Sequence, residues 1–309
     1  MRRNKTVPAN AILVADLHLT SKTPISRTDN YIQAQERKLK FLRELSQKNN
    51  NCPVLCAGDV FDHWKASPWL CSWAHRFLPD NFVTIPGNHD LPMHSIKEYD
   101  KSALSLLETV ERLTVLKNEN MVIYDMEIAG VPFGELENFS PPKTITKKRA
   151  KILLLHELIW PGKRPIWAKH SYSASEILDR FGEHFDLIVS GDNHQSFVIK
   201  EDDCILVNPG SIMRSTAAQL DFQPRCYLFW AEKKMISAVN FPIEQEVHKI
   251  DYLTEKKERD KRISAYIEKM NDNWEKGLSF QDNLRAFFQE NKTPRKVREL
   301  IWEHLEMTT

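Results

Sequence analysis

Over its first 250 residues the chain alternates short apolar runs with segments of helical period. AILVAD (11–16), PVLCAGD (53–59), NFVTIPG (81–87), KILLLHE (151–157) and FDLIVSGD (185–192) are aliphatic runs of strand length, each closing on polar residues. Between them, residues 31–47 set Ile32, Leu39, Leu42 and Leu45 on one helical stripe, and residues 173–181 predict a second helix. Residues 122–138 and 204–241 read as hairpins of a second sheet. Strands alternating with helices predict an α/β fold. No internal repeat interrupts the pattern.

Beyond about residue 250 no β-branched run remains, and a helical pattern runs through 262–270, 283–289 and 295–305. Thr293-Pro294 fits a helix start, with Thr293 as N-cap and Pro294 in the first turn. The expected division is an α/β domain over 1–250 and a small helical appendage over 251–309. Phe280, Leu284, Phe287 and Phe288 form one apolar stripe there, and Val297, Leu300, Ile301 and Leu305 another.

Composition narrows the class. With 309 residues, 41% hydrophobic and 28% charged, the chain reads as globular, not collagenous, disordered or membrane-embedded. No apolar run approaches the roughly 18 residues of a membrane helix. The basic start MRRNK precedes an apolar run that soon meets Asp16 and His18, which argues against a signal peptide. The cysteines (Cys52, Cys56, Cys71, Cys204 and Cys226) lack zinc-ribbon spacing; reduced core thiols and a cytoplasmic setting are expected. A formal charge of +1 demands neither a nucleic acid nor a membrane.

The candidate chemistry sits at the strand ends. Asp16 and His18 are two apart after the first run, so alternation puts both on one face. Asp59 closes the second run, and its two oxygens could bridge two ions. Asn88 and His89 follow the third run in PGNHD, His156 closes the fourth, and Asp192 and His194 follow the fifth, again two apart. A lone Asp or His at a strand end is most often a cap or a surface residue. Five such ends converge on one crevice, because sites in α/β sheets gather outside the carboxyl ends of strands. A two-metal hydrolytic centre is the economical reading.

In order, the chain carries Asp16-Leu17-His18, Gly58-Asp59 with Asp62, Gly87-Asn88-His89-Asp90, His156, and Gly191-Asp192-Asn193-His194 followed by Asn208-Pro209-Gly210-Ser211. This series resembles the calcineurin-like metallophosphoesterases. The resemblance implies a four-layer α/β/β/α sandwich and two divalent ions that clamp a phosphate and activate water. It places one ion on Asp16, His18, Asp59 and His194, and the other on Asp59, Asn88, His156 and Asp192. His89 would orient the phosphate and protonate the leaving oxygen. Mn²⁺ suits this mixture of carboxylate, amide and imidazole, with Mg²⁺, Fe²⁺ or Zn²⁺ as alternatives. Asp192 departs from the family pattern, which usually has histidine there. The remaining histidines, His94 among them, are expected to stay out of catalysis.

Within that superfamily the chain looks most similar to SbcD-type DNA exonuclease subunits and their phage counterparts. This implies a DNA nuclease, with an SbcC-type ATPase or a second copy docking on the C-terminal helices. Asp62 stands where those nucleases commonly carry histidine, and their β-rich capping domain looks absent or reduced. From Lys143 to Lys169 eight basic residues, Lys147, Lys148 and Arg149 among them, face one acidic residue, Glu157. Trp160 and Trp167 interleave with them, a combination used on single-stranded nucleic acid, though a solvated loop with two core tryptophans explains it equally. Arg214, after Asn208-Pro209-Gly210-Ser211, could meet a phosphate. The alternatives are a phosphodiesterase or phosphatase for a small or nucleotide substrate, and an inactive scaffold subunit.

Overall fold

A computed structural model of the protein describes residues 7–142, 149–165, 168, 170–216, 219–245, 247, 284, 287–289 and 291–306. The chain divides into two compact units, 1–248 and 249–309.

In the first unit the strands are β1 (Ala11–Val14), β2 (Val54–Cys56), β3 (Phe82–Thr84), β4 (Thr114–Val115), β5 (Asn120–Ile123), β6 (Met126–Val131) and β7 (Ala150–His156). They continue as β8 (Ile159–Trp160), β9 (Tyr172–Ser173), β10 (Leu187–Gly191), β11 (Phe197–Glu201), β12 (Cys204–Asn208), β13 (Arg225–Trp230) and β14 (Met235–Asn240). One six-stranded sheet has the order β14-β13-β1-β2-β3-β4, the other β11-β12-β10-β7-β6-β5, and β8 pairs with β9.

Side-chain alternation makes these sheets into layers. Ile12 and Val14 of β1 point into a core shared with Leu39, Leu42, Leu70, Ala74 and Leu104. Those residues belong to α1 (Tyr31–Lys48), α2 (Pro68–Phe77) and α3 (Ala103–Thr109). Ala11 and Leu13, one residue out of phase, point the other way and meet Ile152, Leu154, Leu187 and Val189 of the second sheet. Leu153 and Leu155 of β7 then face outward onto Ile177, Leu178 and Phe181 of α4 (Ala174–Phe181). The result is the expected α/β/β/α sandwich. Every fully buried leucine of these layers contributes roughly 1.5–3 kcal/mol.

Local chemistry starts the helices where the sequence signals them. Asn30 accepts from the Gln33 amide at the start of α1, Ser67 precedes Pro68 at the start of α2, and Ser173 with Glu176 forms a capping box on α4.

Two expectations change. Residues 204–241 do not form one hairpin of the second sheet. β12 pairs with β10 and β11, but β13 and β14 cross to the first sheet, where β13 runs antiparallel to β1 with Ala11 opposite Phe229. Tyr227 and Phe229 fill the inter-sheet core from that side, which a lone β1 edge would leave open. In the second unit α5 (Arg295–Glu306) starts just after Thr293-Pro294, but Val297 and Leu300 are 40% and 60% exposed, so that stripe is open surface among the described residues. Leu284, Phe287 and Phe288 are buried. The helix expected over 262–270, Phe280, and the Leu305 side chain lie outside the described set.

Candidate metal centre

β1, β2 and β3 run parallel in one sheet, and β7 and β10 run parallel in the other. Asp16, His18, Asp59, Asn88, His89, His156, Asp192 and His194 therefore all leave carboxyl ends of strands. The β1 and β2 loops are laced together: the Asp16 amide donates to the Gly58 carbonyl at 3.2 Å and the His18 amide to the Asp59 carbonyl at 3.0 Å. The backbone at Asp16, His18, Asp59 and Asp192 is left-handed, with φ of 50°, 45°, 52° and 72°. That conformation costs of order 1–3 kcal/mol for a side-chain-bearing residue and persists only where the surroundings enforce it.

The side chains converge with polar atoms left over. Asp16 accepts the Asp192 amide on Oδ1 at 2.9 Å, and Asp59 accepts the His89 amide on Oδ1 at 2.9 Å. Oδ2 of each is buried without a hydrogen-bond partner, as is Nδ1 of His18. Asp59 Oδ2 lies 3.6 Å from His18 Nε2 and 3.4 Å from His156 Nε2, between the two halves of the site. His156 Nδ1 donates to the Ala57 carbonyl at 2.6 Å, leaving Nε2 3.1 Å from Asn88 Oδ1. On the other side His18 Nε2 meets His194 Nε2 at 3.0 Å. Asp16 groups with His18 and His194, and again with Asp59 and His156, at spacings that would hold a metal ion.

Such a cluster of acceptors requires positive charge, and the titration behaviour follows. Burial pushes Asp16 up to about 8, against His156 and with help from the Asp59 charge. Burial opposes ionisation of both Asp59 and His156, yet their mutual attraction wins: Asp59 is held low and His156 high. Burial, with His194 and His89 nearby, lowers His18 to about 3 against the pull of Asp59, and burial also lowers His194. Neutral imidazoles and buried carboxylate oxygens without partners are the donors a borderline divalent cation takes. The residues present thus fit a metal pair. Asp192 is half-buried, and its amide, not its carboxylate, makes the bond to Asp16.

Packing holds His156 in place. Gly58 takes φ +91°, and a Cβ there or at Gly191 would collide with the His156 ring. Asp90, which carries no role in the sequence reading, is fully buried and accepts the amides of Val60 at 3.1 Å, Phe61 at 2.9 Å and Gly87 at 3.1 Å. It pins the loop after Asp59 to the loop before Asn88. Burial and the Asp59 charge push it up to about 7. Glu157, buried beside His156, accepts the Gly134 amide at 3.2 Å and is raised by burial to about 7. Asp90 stands in the sequence as the last residue of the Gly87-Asn88-His89-Asp90 motif, and Glu157 only as the neighbour of His156.

Other predicted residues fall elsewhere. Arg214 is not a free cation: it is buried, and its guanidinium donates to the carbonyls of Leu220, at 2.9 Å, and Glu244. It is a clamp on the returning backbone. Lys147, Lys148 and Trp167 lie outside the described residues, and Arg149 is exposed. Trp160 donates to Ser171 Oγ at 3.2 Å and Arg164 to the Ser171 carbonyl at 2.8 Å, so part of the basic run is a self-bonded loop. All five cysteines are free and buried. Among the described residues no helix is long and apolar enough to cross a membrane.

The model of the calcineurin-like phosphoesterase family matches residues 10–196. Among solved structures, an archaeal phosphodiesterase is similar at 13% identity and a TM-score of 0.40, over 74% of this chain and 98% of that one. The TT1561 protein of Thermus thermophilus is similar at 12% identity and 0.47, over 76% of this chain and 100% of that one. No curated protein matches significantly.

Proposed function

The chain belongs to the calcineurin-like phosphoesterase family and is a metal-dependent phosphoesterase, and from that premise we propose that it hydrolyses phosphodiesters with two divalent ions, DNA being the preferred substrate. The observation that carries the metal reading is the set of buried unpartnered atoms, Asp16 Oδ2, His18 Nδ1 and Asp59 Oδ2, within one cluster of ligand types. Asp16, His18, Asp59 and His194 would hold the first ion, and Asp59, Asn88, His156 and Asp192 the second. The ions supply charge neutralisation at the phosphate and lower the pKa of water. Mn²⁺ suits the donor set.

The chain's own contribution beyond the ligands is His89. Its amide is fixed on Asp59, and its Nδ1, 2.8 Å from the Asp62 carbonyl, must carry the hydrogen of that contact. Nε2 is left for the substrate; with the ring doubly protonated, Nε2–H orients the phosphate and passes its proton to the departing oxygen, and the ring is left neutral with its hydrogen on Nδ1.

DNA is favoured by the basic run from Lys143 to Lys169 and by the resemblance to SbcD-type nucleases. Arg149, with Lys147 and Lys148, supplies backbone contacts in this reading, and residues 251–309 dock an SbcC-type ATPase or a second copy. A small diester is the second reading, favoured by the bonding of Trp160 and Arg164 to Ser171 and by the burial of Arg214. The test is hydrolysis with Mn²⁺ of linear and circular, single- and double-stranded DNA beside bis-p-nitrophenyl phosphate. Replacing Lys147, Lys148 and Arg149 with glutamine is expected to flatten the salt dependence of DNA binding by about 0.7 to 0.9 per lost contact. Equal losses on DNA and the small diester would favour the second reading. No hydrolysis of any ester would sink both.

A further inference from the structure

His94, set aside on sequence grounds, repeats the arrangement of His89. Both follow β3 on one loop and both are exposed. Both point Nδ1 at a main-chain carbonyl: His89 at Asp62, 2.8 Å, and His94 at Asn88, 3.0 Å. A carbonyl only accepts, so each Nδ1 carries the hydrogen and each Nε2 is the nitrogen left over. The two serve different halves of the site. The His89 ring packs on His18, with centroids 4.7 Å apart, whereas His94 meets Phe133 edge to face at 6.2 Å, and Phe133 meets His156 at 6.3 Å.

The loop bends backbone to bring His94 there. Met93 and His94 are consecutive left-handed residues, φ 52° and 54°, and neither is glycine, asparagine or aspartate. Histidine takes this conformation more readily than most residues, whereas a bulky methionine does not, so the strain of the turn falls on Met93. The turn also leaves Met93, the residue before His94, 87% exposed. An exposed thioether is a soft apolar surface suited to the face of a base or sugar.

From this geometry we infer that Met93 and His94 form a subsite for a nucleoside esterified to the phosphate, with His94 Nε2 accepting a hydrogen bond from its hydroxyl or amino group. The inference rests on the phosphodiesterase reading and deepens it on the His156 side of the centre. His94 touches the substrate's esterifying group, not the reacting atoms, so it sets specificity.

Two variants separate contact from support. In His94→Asn the amide nitrogen can replace Nδ1 at the Asn88 carbonyl, but nothing reaches the place of Nε2. His94→Gln keeps an acceptor at longer reach. With Mn²⁺, the readout is the ratio of kcat/KM for the p-nitrophenyl ester of thymidine 5′-monophosphate to that for bis-p-nitrophenyl phosphate. His94→Asn is expected to lower this ratio about tenfold, the scale of one hydrogen bond, with partial recovery in His94→Gln. An unchanged ratio in His94→Asn overturns the inference and leaves the phosphodiesterase reading standing. If the wild type hydrolyses neither ester, that reading fails, and calorimetric binding of thymidine 5′-monophosphate decides the subsite. Binding about tenfold weaker in His94→Asn, with inorganic phosphate binding equally to both proteins, supports it; equal or absent nucleotide binding overturns it.

Discussion

At the carboxyl end of β7 and β10, Asp16, His18 and Asp59 each keep a buried side-chain atom without a partner, and the backbone beneath them is left-handed. At the amino end of the same two strands the half-buried carboxylate of Asp186 is satisfied. Asp186 accepts the Lys151 amide at 2.8 Å on one oxygen and meets Lys234 Nζ at 2.7 Å on the other. That far end also opens into a cavity of about 540 Å³, lined by Asp179, Glu183, Asp186, Asp202 and Lys234 among others. Space and acidity therefore do not mark the chemistry in this molecule. Uncompensated desolvation does: buried ligand-type atoms without a partner gather at one end, while at the other Asp186 is met by an amide and a lysine.

The contrast breaks most visibly at Asp59. Asp59→Asn or His156→Ala is expected to lower metal-dependent hydrolysis on the order of 10³-fold or more while circular dichroism stays native. Metal analysis should show both ions affected in Asp59→Asn, and undiminished turnover there would remove the two-metal account.

A smaller effect is expected at Asp192. If its carboxylate holds the second ion, Asp192→Ala weakens one ion on the order of 10- to 100-fold and leaves the other. Asp192→His should restore the usual family donor and shift preference towards softer ions. Full occupancy of both positions in Asp192→Ala would reduce Asp192 to the amide that caps Asp16.

Stability against pH distinguishes the two ends without any turnover. In the metal-free protein Asp16, raised to about 8, and Asp90 and Glu157, raised to about 7, keep protons that the unfolded chain has released. His156, held high, adds the same sign. His18 and His194, both lowered, oppose it below about 6.5, where the unfolded imidazoles take up protons. Between pH 6.5 and 8 the folded state thus binds more protons, and stability falls as pH rises, by up to about 1.4 kcal/mol per pH unit for each proton held. Denaturant titrations should show this fall, Asp16→Asn should flatten it, and Mn²⁺ should reverse it by replacing the protons. A pH-independent midpoint without metal would contradict the role given to desolvation.

The smallest change belongs to the far end. Asp186→Asn removes one charge from its pairing with Lys234, whose side chain is 48% exposed, so about 0–1 kcal/mol of stability is expected to go. Hydrolysis should be untouched. A loss of activity there would mean the far end is not the inert half of the comparison.

The sequence made much of this legible. Apolar runs ending in Asp, His or Asn report strands that bury their length and expose their ends to the site, so the rim followed once the strands were parallel. The positions of β13 and β14 were not legible, because nothing in residues 225–240 states which sheet edge they will cover; that depends on β1, more than 200 residues away, needing a neighbour. Asp90 and Glu157 were missed because a carboxylate that pins backbone amides looks the same in sequence as one at a surface. The subsite proposed at His94 has no signal in the sequence, because it depends on the turn at Met93, which no glycine announces. Arg214 misled for the opposite reason: it follows a family motif, yet its guanidinium is taken up by main-chain carbonyls.

The left-handed backbone at Asp16, His18, Asp59 and Asp192 also bears on how this protein would respond to selection. Glycine or asparagine relieves that conformation, and either also removes the carboxylate or imidazole that the centre needs there. A library screened for heat resistance alone, without a divalent ion in the medium, should therefore enrich Gly and Asn at these four codons first. The survivors would be sturdier folds with the centre erased, so any attempt to harden this enzyme has to score turnover in the same round.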